Sequence, residues 1–438
     1  MATLYFVGKS AAVSQVSTVT PAGPVVNDIF NILVGGITIA TYTALAAPTV
    51  ATVTAGLTAA WNASTHPYKT SITAVDTGAL VQLTGPAGML FIVTVSKTGT
   101  GTITTATPTV AKGPNDYNTI ANWFDAATGL VSAALPVSGD KIIIKDSSVN
   151  ICWNLDQSAM AGAGFNGFDI RQSYTGRIGL NYAAYALTAD GMDTTAAVPE
   201  YRENFLKIKC AAIASGIDGV TIGSPDGLST ANGPSRCLLD LGTTATHIVV
   251  TKASAASAEA GRPCIRLRCN GTHSIFILSA TGGCGVGAEE PNETLVLSNL
   301  VVSDISTQSK VVVGGGSVVT TITTYGGTNF INHSSATLTT FNHLGGNTVV
   351  NGPFLITTCN ASAGNLVLNN ANSGGNVVAN LNASNNAVVD LSQSPRIRTV
   401  TTTTLSGSAK IVSIGSATLG VVNPPTVGRY TLSVNQTA

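Results

Sequence analysis

Short apolar runs recur at intervals of about 10 to 15 residues through the last third of the chain, separated by Gly, Asn, Ser and Thr. Examples are Val311-Val-Val, Val318-Val-Thr-Thr-Ile, Thr348-Val-Val, Leu366-Val-Leu and Val388-Val. Two runs make one coil of about 20 to 25 residues, the period typical of β-solenoids. The pattern therefore predicts a right-handed parallel β-helix over residues 155–420, with about 13 coils.

Glycine and asparagine mark the turns and edges of the predicted coils. Paired or tripled glycines at 314–316, 326–327, 345–346 and 374–375 suit turns that need positive φ or close packing. The asparagines expected to form inward or stacked ladders along the coils are Asn342, Asn351, Asn360, Asn370 and Asn380. An alternating segment at 427–434 predicts a separate strand within a terminal strand or cap at 421–438.

The amino-terminal part has a different pattern. Residues 1–24 are expected to form an extended arm that ends at Pro21-Ala-Gly-Pro. Residues 25–112 predict a small ββαβββ module, with strands over 28–34 and 37–43, a helix over 52–63 and a three-stranded meander after it. Thr52 or Thr54 is the expected N-cap of the helix. The expected core residues of the module are Phe30, Leu57 and Trp61.

This module resembles one that recurs in bacteriophage structural proteins, in which a hairpin precedes a helix of the "ADVAAALAAAIN" type and a short meander. The resemblance rests on Asp28-Ile-Phe-Asn-Ile-Leu-Val-Gly-Gly-Ile-Thr-Ile, Val53-Thr-Ala-Gly-Leu-Thr-Ala-Ala-Trp-Asn-Ala, Ile72-Thr-Ala-Val-Asp and Val81-Gln-Leu-Thr-Gly. It covers about 85 residues, and it implies a virion component without implying any catalytic activity.

Residues 113–154 are predicted to cap the amino-terminal end of the β-helix. The order of Trp123, Pro136 and Asp140 resembles the "NW…G…P…GD…I" entry to many β-helical passengers and surface solenoids. The resemblance implies that the Trp and Pro plug the open end and that the Asp turns the chain into the first coil. A solenoid needs such a cap because its terminal coil otherwise exposes unpaired strand edges and apolar core. A surface loop with one packed Trp is the alternative.

Composition narrows the class of protein. Of 438 residues, 44% are hydrophobic and 10% are charged, which excludes a disordered chain. The 21 basic and 21 acidic residues balance, so no electrostatic argument favours nucleic-acid binding. The start has no basic and apolar signal, and no apolar run is long enough to span a membrane. The chain is therefore expected to be made in the cytosol and not to insert into membranes.

The residues that usually carry chemistry are scattered. Glycoside hydrolysis needs a close carboxylate pair, yet Asp390 is the only acidic residue from 305 to 438. The upstream carboxylates that could converge are Asp218, Asp226, Asp240, Glu259, Glu289, Glu290, Glu293 and Asp304. Most adjoin turn residues, and we interpret them as turn formers.

The histidines and cysteines also show no spacing typical of a catalytic or metal site. The five histidines are isolated along the sequence, although His333 and His343 could stack on neighbouring coils. The seven cysteines show no paired spacing and are expected to be buried free thiols. No catalytic residue, metal ligand or cofactor site is therefore expected.

The sequence favours a non-enzymatic structural protein at the surface of a phage particle, made in the host cytoplasm. It would be a capsid decoration, head-fibre or tail-fibre protein that assembles with other virion proteins through its amino-terminal module. By family resemblance, a homotrimer is expected. One alternative is a tailspike that binds or cleaves a host surface glycan. Another is a cell-surface adhesin, which would need an export signal and a membrane barrel.

Overall fold

The computed structural model describes residues 2–179, 205–211, 219–227, 229–242, 244, 247–252, 263–268, 273–287, 295–334, 336–370, 375–392, 398–414, 417–424 and 431–435. The protein is mostly β, with 52% of residues in strands and 6% in helices. A β-solenoid of about 10 turns spans residues 141–423, and a small β-rich module lies at the amino-terminal end. The predicted fold class is confirmed, and the handedness of the solenoid stays a prediction.

The elements that build the amino-terminal part are β1 (Thr3–Phe6), β2 (Ser14–Ala22), β3 (Ile29–Val34), β4 (Ile37–Thr43), α1 (Val50–Ala63), α2 (Pro67–Ser71), β5 (Thr73–Asp76), β6 (Val81–Ala87), β7 (Val93–Thr98) and β8 (Thr102–Thr109). They form two antiparallel sheets with the orders β5-β6-β2-β8 and β4-β3-β7. Strand β1 belongs to neither sheet. Helix α1 packs against strands of both sheets.

The strands of the cap and solenoid follow a single 3₁₀ turn at Ile120–Asn122. They are β9 (Trp123–Asp125), β10 (Lys141–Ile144), β11 (Gly167–Arg171), β12 (Arg177–Ile178), β13 (Leu206–Lys207), β14 (Val220–Ser224), β15 (Arg236–Asp240), β16 (His247–Val250), β17 (Ile265–Arg268), β18 (His273–Ile277), β19 (Cys284–Val286), β20 (Leu295–Val302), β21 (Lys310–Thr324), β22 (Thr328–His333), β23 (Leu338–His343), β24 (Asn347–Gly352), β25 (Ile356–Ala361), β26 (Asn365–Asn370), β27 (Asn376–Ala383), β28 (Val388–Asp390), β29 (Arg398–Leu405), β30 (Lys410–Ile414), β31 (Ala417–Asn423) and β32 (Thr431–Asn435).

Two columns of parallel strands make up the solenoid. The first sheet runs β1-β10-β11-β14-β16-β18-β20, continues through the end of β21, and then follows the odd-numbered strands from β23 to β31. The second sheet runs from β12 and β13 through β15, β17, β19 and the start of β21, and then follows the even-numbered strands from β22 to β32. Strand β21 crosses from one sheet to the other at Gly314-Gly315-Gly316.

Coil length differs along the solenoid. Val350 pairs with Leu368, 18 positions later, while Cys237 pairs with Ile265, 28 positions later. The sequence estimate of about 13 coils assumed one coil length of about 20 to 25 residues for the whole solenoid. Long connections in the upstream coils reduce the number of turns to about 10.

Residues 1–24 do not form a separate arm. Strand β1 pairs with β10 of the solenoid, and β2 lies between β6 and β8 in the module. The alternation in β2 is hidden in the sequence because two inward residues, Gln15 and Ser17, are polar. Gln15 meets its bonding needs inside: its Nε2 donates to the Phe91 carbonyl at 2.6 Å, and its Oε1 accepts from the Phe91 amide at 3.3 Å.

The three expected core residues of the module, Phe30, Leu57 and Trp61, are fully buried. The indole Nε1 of Trp61 donates to the Ile72 carbonyl at 3.1 Å, which fixes the end of α1 over the following segment. The helix begins two residues earlier than expected, and neither Thr52 nor Thr54 is its N-cap. Thr49 is the N-cap, and its capping box with Thr52 satisfies amides that would otherwise lack partners.

The carboxy-terminal strand expected within 421–438 is β32, which pairs in parallel with β30 and so continues the second sheet. It is therefore an additional rung rather than a separate element. Residues 425–430 and 436–438, which include part of the expected strand at 427–434, lie outside the described residues.

Apolar side chains stack in register inside the solenoid. On the first sheet one inward column is formed by Ile275, Leu300, Ile322, Phe341, Cys359, Leu381 and Thr403. All seven are fully buried. The register continues from Thr403 to half-buried Val422. The Thr403 hydroxyl has no hydrogen-bond partner among the described residues.

Substitution of Thr403 tests whether its side chain points into the core as part of this column. We expect Thr403→Val to raise the free energy of unfolding by about 1 kcal/mol, because a buried hydroxyl without a partner is destabilising. The matched control is Thr402→Val, at a half-buried position on the outer side of the same strand, where a change within about 0.5 kcal/mol is expected. Denaturant unfolding of both variants measures the difference, and a destabilised Thr403→Val would contradict the assignment.

Candidate functional site

Trp123 is the centre of the cap at the amino-terminal end of the solenoid. It is fully buried, and its ring packs edge-on against Phe6, with centroids 5.2 Å apart, and against Tyr117 at 4.8 Å. Its Nε1 donates to the Tyr117 carbonyl at 2.8 Å. Trp123 begins β9, which pairs antiparallel with β1. The ring therefore lies buried between Phe6 of β1 and Tyr117, and its role as the plug of the solenoid stays a prediction.

Asp140 connects the amino terminus to the first long strand of the solenoid. One carboxylate oxygen accepts from the Ala2 amide at 2.7 Å and the other from the Val137 amide at 3.1 Å. Since Lys141 begins β10, the carboxylate holds β1 beside β10 while it shapes the turn that enters β10. Pro136 is buried in this same turn.

Two further residues organise the cap, and the sequence analysis gave neither a role. The Asn122 amide is fully buried and donates to the Gly113 and Asp116 carbonyls at 2.8 and 2.7 Å, while its oxygen accepts from the Ser10 amide at 2.9 Å. The Asp116 carboxylate accepts from Asn118, Thr119 and Asn154. The only sequence signal for Asn122 was its position directly before Trp123.

The cap is also the place where the chain enters and leaves the module. Strand β1 precedes the module, β9 follows it, and the two strands pair with each other. The outgoing segment is held by the Val7 amide, which donates to the Asn122 carbonyl at 2.8 Å, and Val13 bridges to Lys112 on the returning segment. The module is thus inserted between the first two strands of the cap, and two chain crossings fix it there.

An outward asparagine ladder runs along the first sheet. Asn360 donates to the Asn342 side-chain oxygen at 2.8 Å and accepts from Asn382 at 2.8 Å, and Asn342 donates to Thr323 at 3.2 Å. These side chains are half-buried or exposed and carry no charge. Parallel in-register strands place like residues above one another, which allows each amide to serve as donor and acceptor.

The other expected ladder asparagines have different surroundings. Asn351 donates to Asn332 at 3.1 Å in an outward pair on the second sheet. Asn370 points inward and donates to the Phe354 and Val377 carbonyls, and exposed Asn380 donates to the Thr357 carbonyl. The asparagines therefore contribute both to outer ladders and to bonds with the main chain.

Each described carboxylate of the upstream set is engaged with a neighbouring group. Asp240 Oδ2 lies 2.8 Å from Arg268 Nε, Asp304 accepts from the Ala280 and Ser306 amides at 2.9 Å each, and Asp226 accepts from the Ser173 hydroxyl. The first contact is an ion pair, and the bonds from Ala280 and Ser173 join residues 24 and 53 positions apart in the sequence. Only the bond from Ser306 to Asp304 is a local turn contact. Asp218, Glu259, Glu289, Glu290 and Glu293 lie outside the described residues.

The buried histidines are integrated into the solenoid. His333 and His343 end successive strands β22 and β23, so they lie on different sheets and are not stacked on each other, contrary to the expectation. The Val319 amide donates to His333 Nε2 at 2.7 Å, and Thr324 Oγ1 is hydrogen-bonded to His343 Nδ1 at 3.1 Å. Across the described ranges, no group of three His, Cys, Asp or Glu residues could hold a metal ion.

Six cysteines are buried and free of disulfides: Cys152, Cys210, Cys237, Cys264, Cys284 and Cys359. Burial raises the thiol pKa of Cys210 and of Cys359 to about 12. These two thiols therefore stay protonated and unreactive at neutral pH. Cys269 lies outside the described residues.

Comparison with known proteins found no matching family model, no matching curated protein and no matching solved structure. Among the described residues, no helix has the length and apolar character needed to cross a membrane.

Removal of the Trp123 side chain tests the cap. We expect Trp123→Ala to lower the free energy of unfolding by about 3 to 5 kcal/mol, the usual cost of deleting a buried large aromatic side chain, and to promote aggregation through the uncovered end. Phe124→Ala is the control, because Phe124 is the next residue on β9 and only half-buried. Unchanged solubility and melting temperature for Trp123→Ala would count against the cap.

Burial of His343 predicts acid sensitivity. Burial lowers its pKa from 6.5 to about 4, so between these values the unfolded chain binds a proton that the folded chain does not. Stability is therefore lost as the pH falls through this window, by about 2 kcal/mol at pH 5 for this one residue. Buried His273 and His333, whose pKa values are also lowered by burial, act in the same direction.

The test compares melting temperatures at pH 7.5 and pH 5 for the wild-type chain and for His343→Gln. Each protein is referred to its own value at pH 7.5, which cancels any general destabilisation by the substitution. A smaller acid-induced drop is expected for His343→Gln, and an equal drop would contradict the role of His343.

Proposed function

We propose that this chain is a non-enzymatic structural protein at the surface of a bacteriophage particle, as a capsid decoration, head-fibre or tail-fibre protein. The module would attach to other virion proteins, and the solenoid would project from it. The protein would be made in the host cytoplasm and would assemble as a homotrimer.

The observation that carries this proposal is the insertion of the module between β1 and β9. A domain joined by one flexible linker turns freely, but two crossings held by Asn122 and by the bridge between Val13 and Lys112 fix the module to the solenoid. A module fixed rigidly to one end of a solenoid of about 10 turns suits a protein that projects from a surface.

The outer surface and the carboxylates are in keeping with a structural role. The outward ladder through Asn342, Asn360 and Asn382 is uncharged, regular and satisfied by its own hydrogen bonds. Asp240 is used in an ion pair, and Asp304 accepts from the amide of Ala280, 24 positions earlier, and from the amide of Ser306 in a turn. The module resemblance that suggests a virion component rests on the pattern around Phe30, Leu57 and Trp61.

Localisation on particles tests the proposal. Phage particles purified from the source culture would be analysed by mass spectrometry and labelled with an antibody against this chain, and a cryo-EM map would locate its density. We expect the chain to co-purify with particles in fixed proportion, with threefold density that projects from the shell or tail. A chain that is abundant in the lysate and absent from purified particles would contradict the proposal.

The predicted homotrimer has a separate solution test. Light scattering on the purified full chain should give about three times the chain mass of 44.2 kDa. A mass of one chain across the accessible concentration range would contradict the trimer and leave the location on the particle to the cryo-EM map.

A further inference from the structure

A cavity of about 400 Å³ lies where the module meets the first coils of the solenoid. One wall is the module loop from Leu90 to Ile92, and the opposite wall is the cap segment from Cys152 to Asp156. Phe205, directly before β13, and Lys207, within β13, complete the lining. We call this space the junction cavity. Its volume is in the range of sites that take small molecules.

The walls of the junction cavity are held in place by main-chain bonds. Buried Gln15 fixes the module loop through both polar groups of Phe91. The Trp153 amide donates to the Asn115 carbonyl at 3.2 Å, and the Trp153 carbonyl accepts from the Tyr117 amide at 3.1 Å. The cavity is therefore preformed, which reduces the ordering cost of binding a ligand.

Much of the cavity wall is aromatic or aliphatic. Trp153 and Phe205 are 8% and 9% exposed, so each shows only a small part of its surface. Ile92, at 72% exposed, is the most accessible apolar side chain of the lining. Such a wall suits a ligand that has an apolar face.

Charged side chains of alternating sign continue from the cavity along successive coils. Asp156 is bridged to Lys207, Lys207 pairs with Asp240, and Asp240 pairs with Arg268. Asp156 Oδ2 lies 2.8 Å from Lys207 Nζ, and the Arg268 guanidinium lies 4.6 Å from the centre of the Phe205 ring. The column offers acceptors and donors side by side, and its formal charges cancel.

Asp156 and Lys207 are the members of this column that line the cavity, and both remain partly exposed. The bond from Lys207 is the largest cause that lowers the pKa of Asp156 to about 2. Asp156 therefore stays ionised at neutral pH and acts as an acceptor, while the Lys207 ammonium acts as a donor.

We propose that the junction cavity binds a neutral sugar unit, with the apolar face of the sugar ring against Ile92 and the accessible parts of Trp153 and Phe205 and its hydroxyls bonded to Asp156 and Lys207. A sugar hydroxyl both donates and accepts, so it can use the carboxylate and the ammonium together. The cancelling charges give a strongly charged ligand no electrostatic advantage. This site does not depend on the virion role.

Tryptophan fluorescence of the full-length chain provides the assay. Trp61 and Trp123 are fully buried, so Trp153 is the indole that lines the cavity and should report binding. The probes are maltose, lactose and cellobiose as neutral sugars, sodium glucuronate as a charged sugar, and the apolar dye 1-anilinonaphthalene-8-sulfonate. We expect a saturable change with at least one neutral disaccharide and a weaker response to glucuronate.

Matched variants assign the signal to the cavity. Asp156→Asn and Lys207→Gln should each weaken sugar binding about tenfold, because each removes a charge-assisted hydrogen bond. Ile305→Ser, at a position 78% exposed and outside the cavity lining, should bind like the wild type. Trp153→Phe should lose the fluorescence response and keep the heat of binding in calorimetry.

Several outcomes would overturn the proposal. One is the absence of saturable binding for all three disaccharides, and another is tighter binding of glucuronate than of the neutral sugars. A third is wild-type sugar affinity in Asp156→Asn and Lys207→Gln. A fourth is that these two variants weaken the binding of the apolar dye only. Circular dichroism and melting curves confirm that each variant is folded. Absence of the chain from phage particles would leave the sugar site unaffected, so the two proposals can fail separately.

Discussion

The first rung of the solenoid is the constraint on which the rest of the structure depends. A parallel sheet grows by adding strands to an existing edge, and the first edge has unpaired amides and carbonyls that must be satisfied or covered. Strand β1 meets this need by pairing in parallel with β10 on one side and antiparallel with β9 on the other. Trp123, the first residue of β9, packs edge-on against Phe6 of β1.

This arrangement explains why the module has a fixed place on the rod. The same two strands that close the solenoid are the points at which the chain leaves for the module and returns from it. Asn122 bonds to both crossings, through Ser10 on the way out and Gly113 on the way back. The same contacts therefore pair the first strands of the solenoid and anchor the module. A substitution that weakens these contacts should destabilise the end of the solenoid and the attachment of the module.

The sequence predicted those features that are repeated or local. The apolar runs indicated the solenoid because they recur at a regular spacing. The role of Trp123 and Asp140 at its entry was expected from resemblance to other solenoids. The pairing of β1 with strands more than 100 positions away leaves no local signal. Strand β2 was missed because Gln15 and Ser17 occupy inward positions where a strand usually has apolar residues.

The charged column next to the junction cavity shows the same limit. Asp156 and Lys207 are 51 positions apart, and Asp240 and Arg268 are 28 apart, so coils of unequal length hide the alternation of sign. Only the register of the strands brings these four side chains into one line. Where successive coils are short, as in the step of 18 positions from Asn342 to Asn360, the sequence itself shows the stacked residues. The sequence therefore reveals least about surface chemistry where the coils differ in length. In this protein the irregular coils lie next to the module, and the junction cavity lies between them.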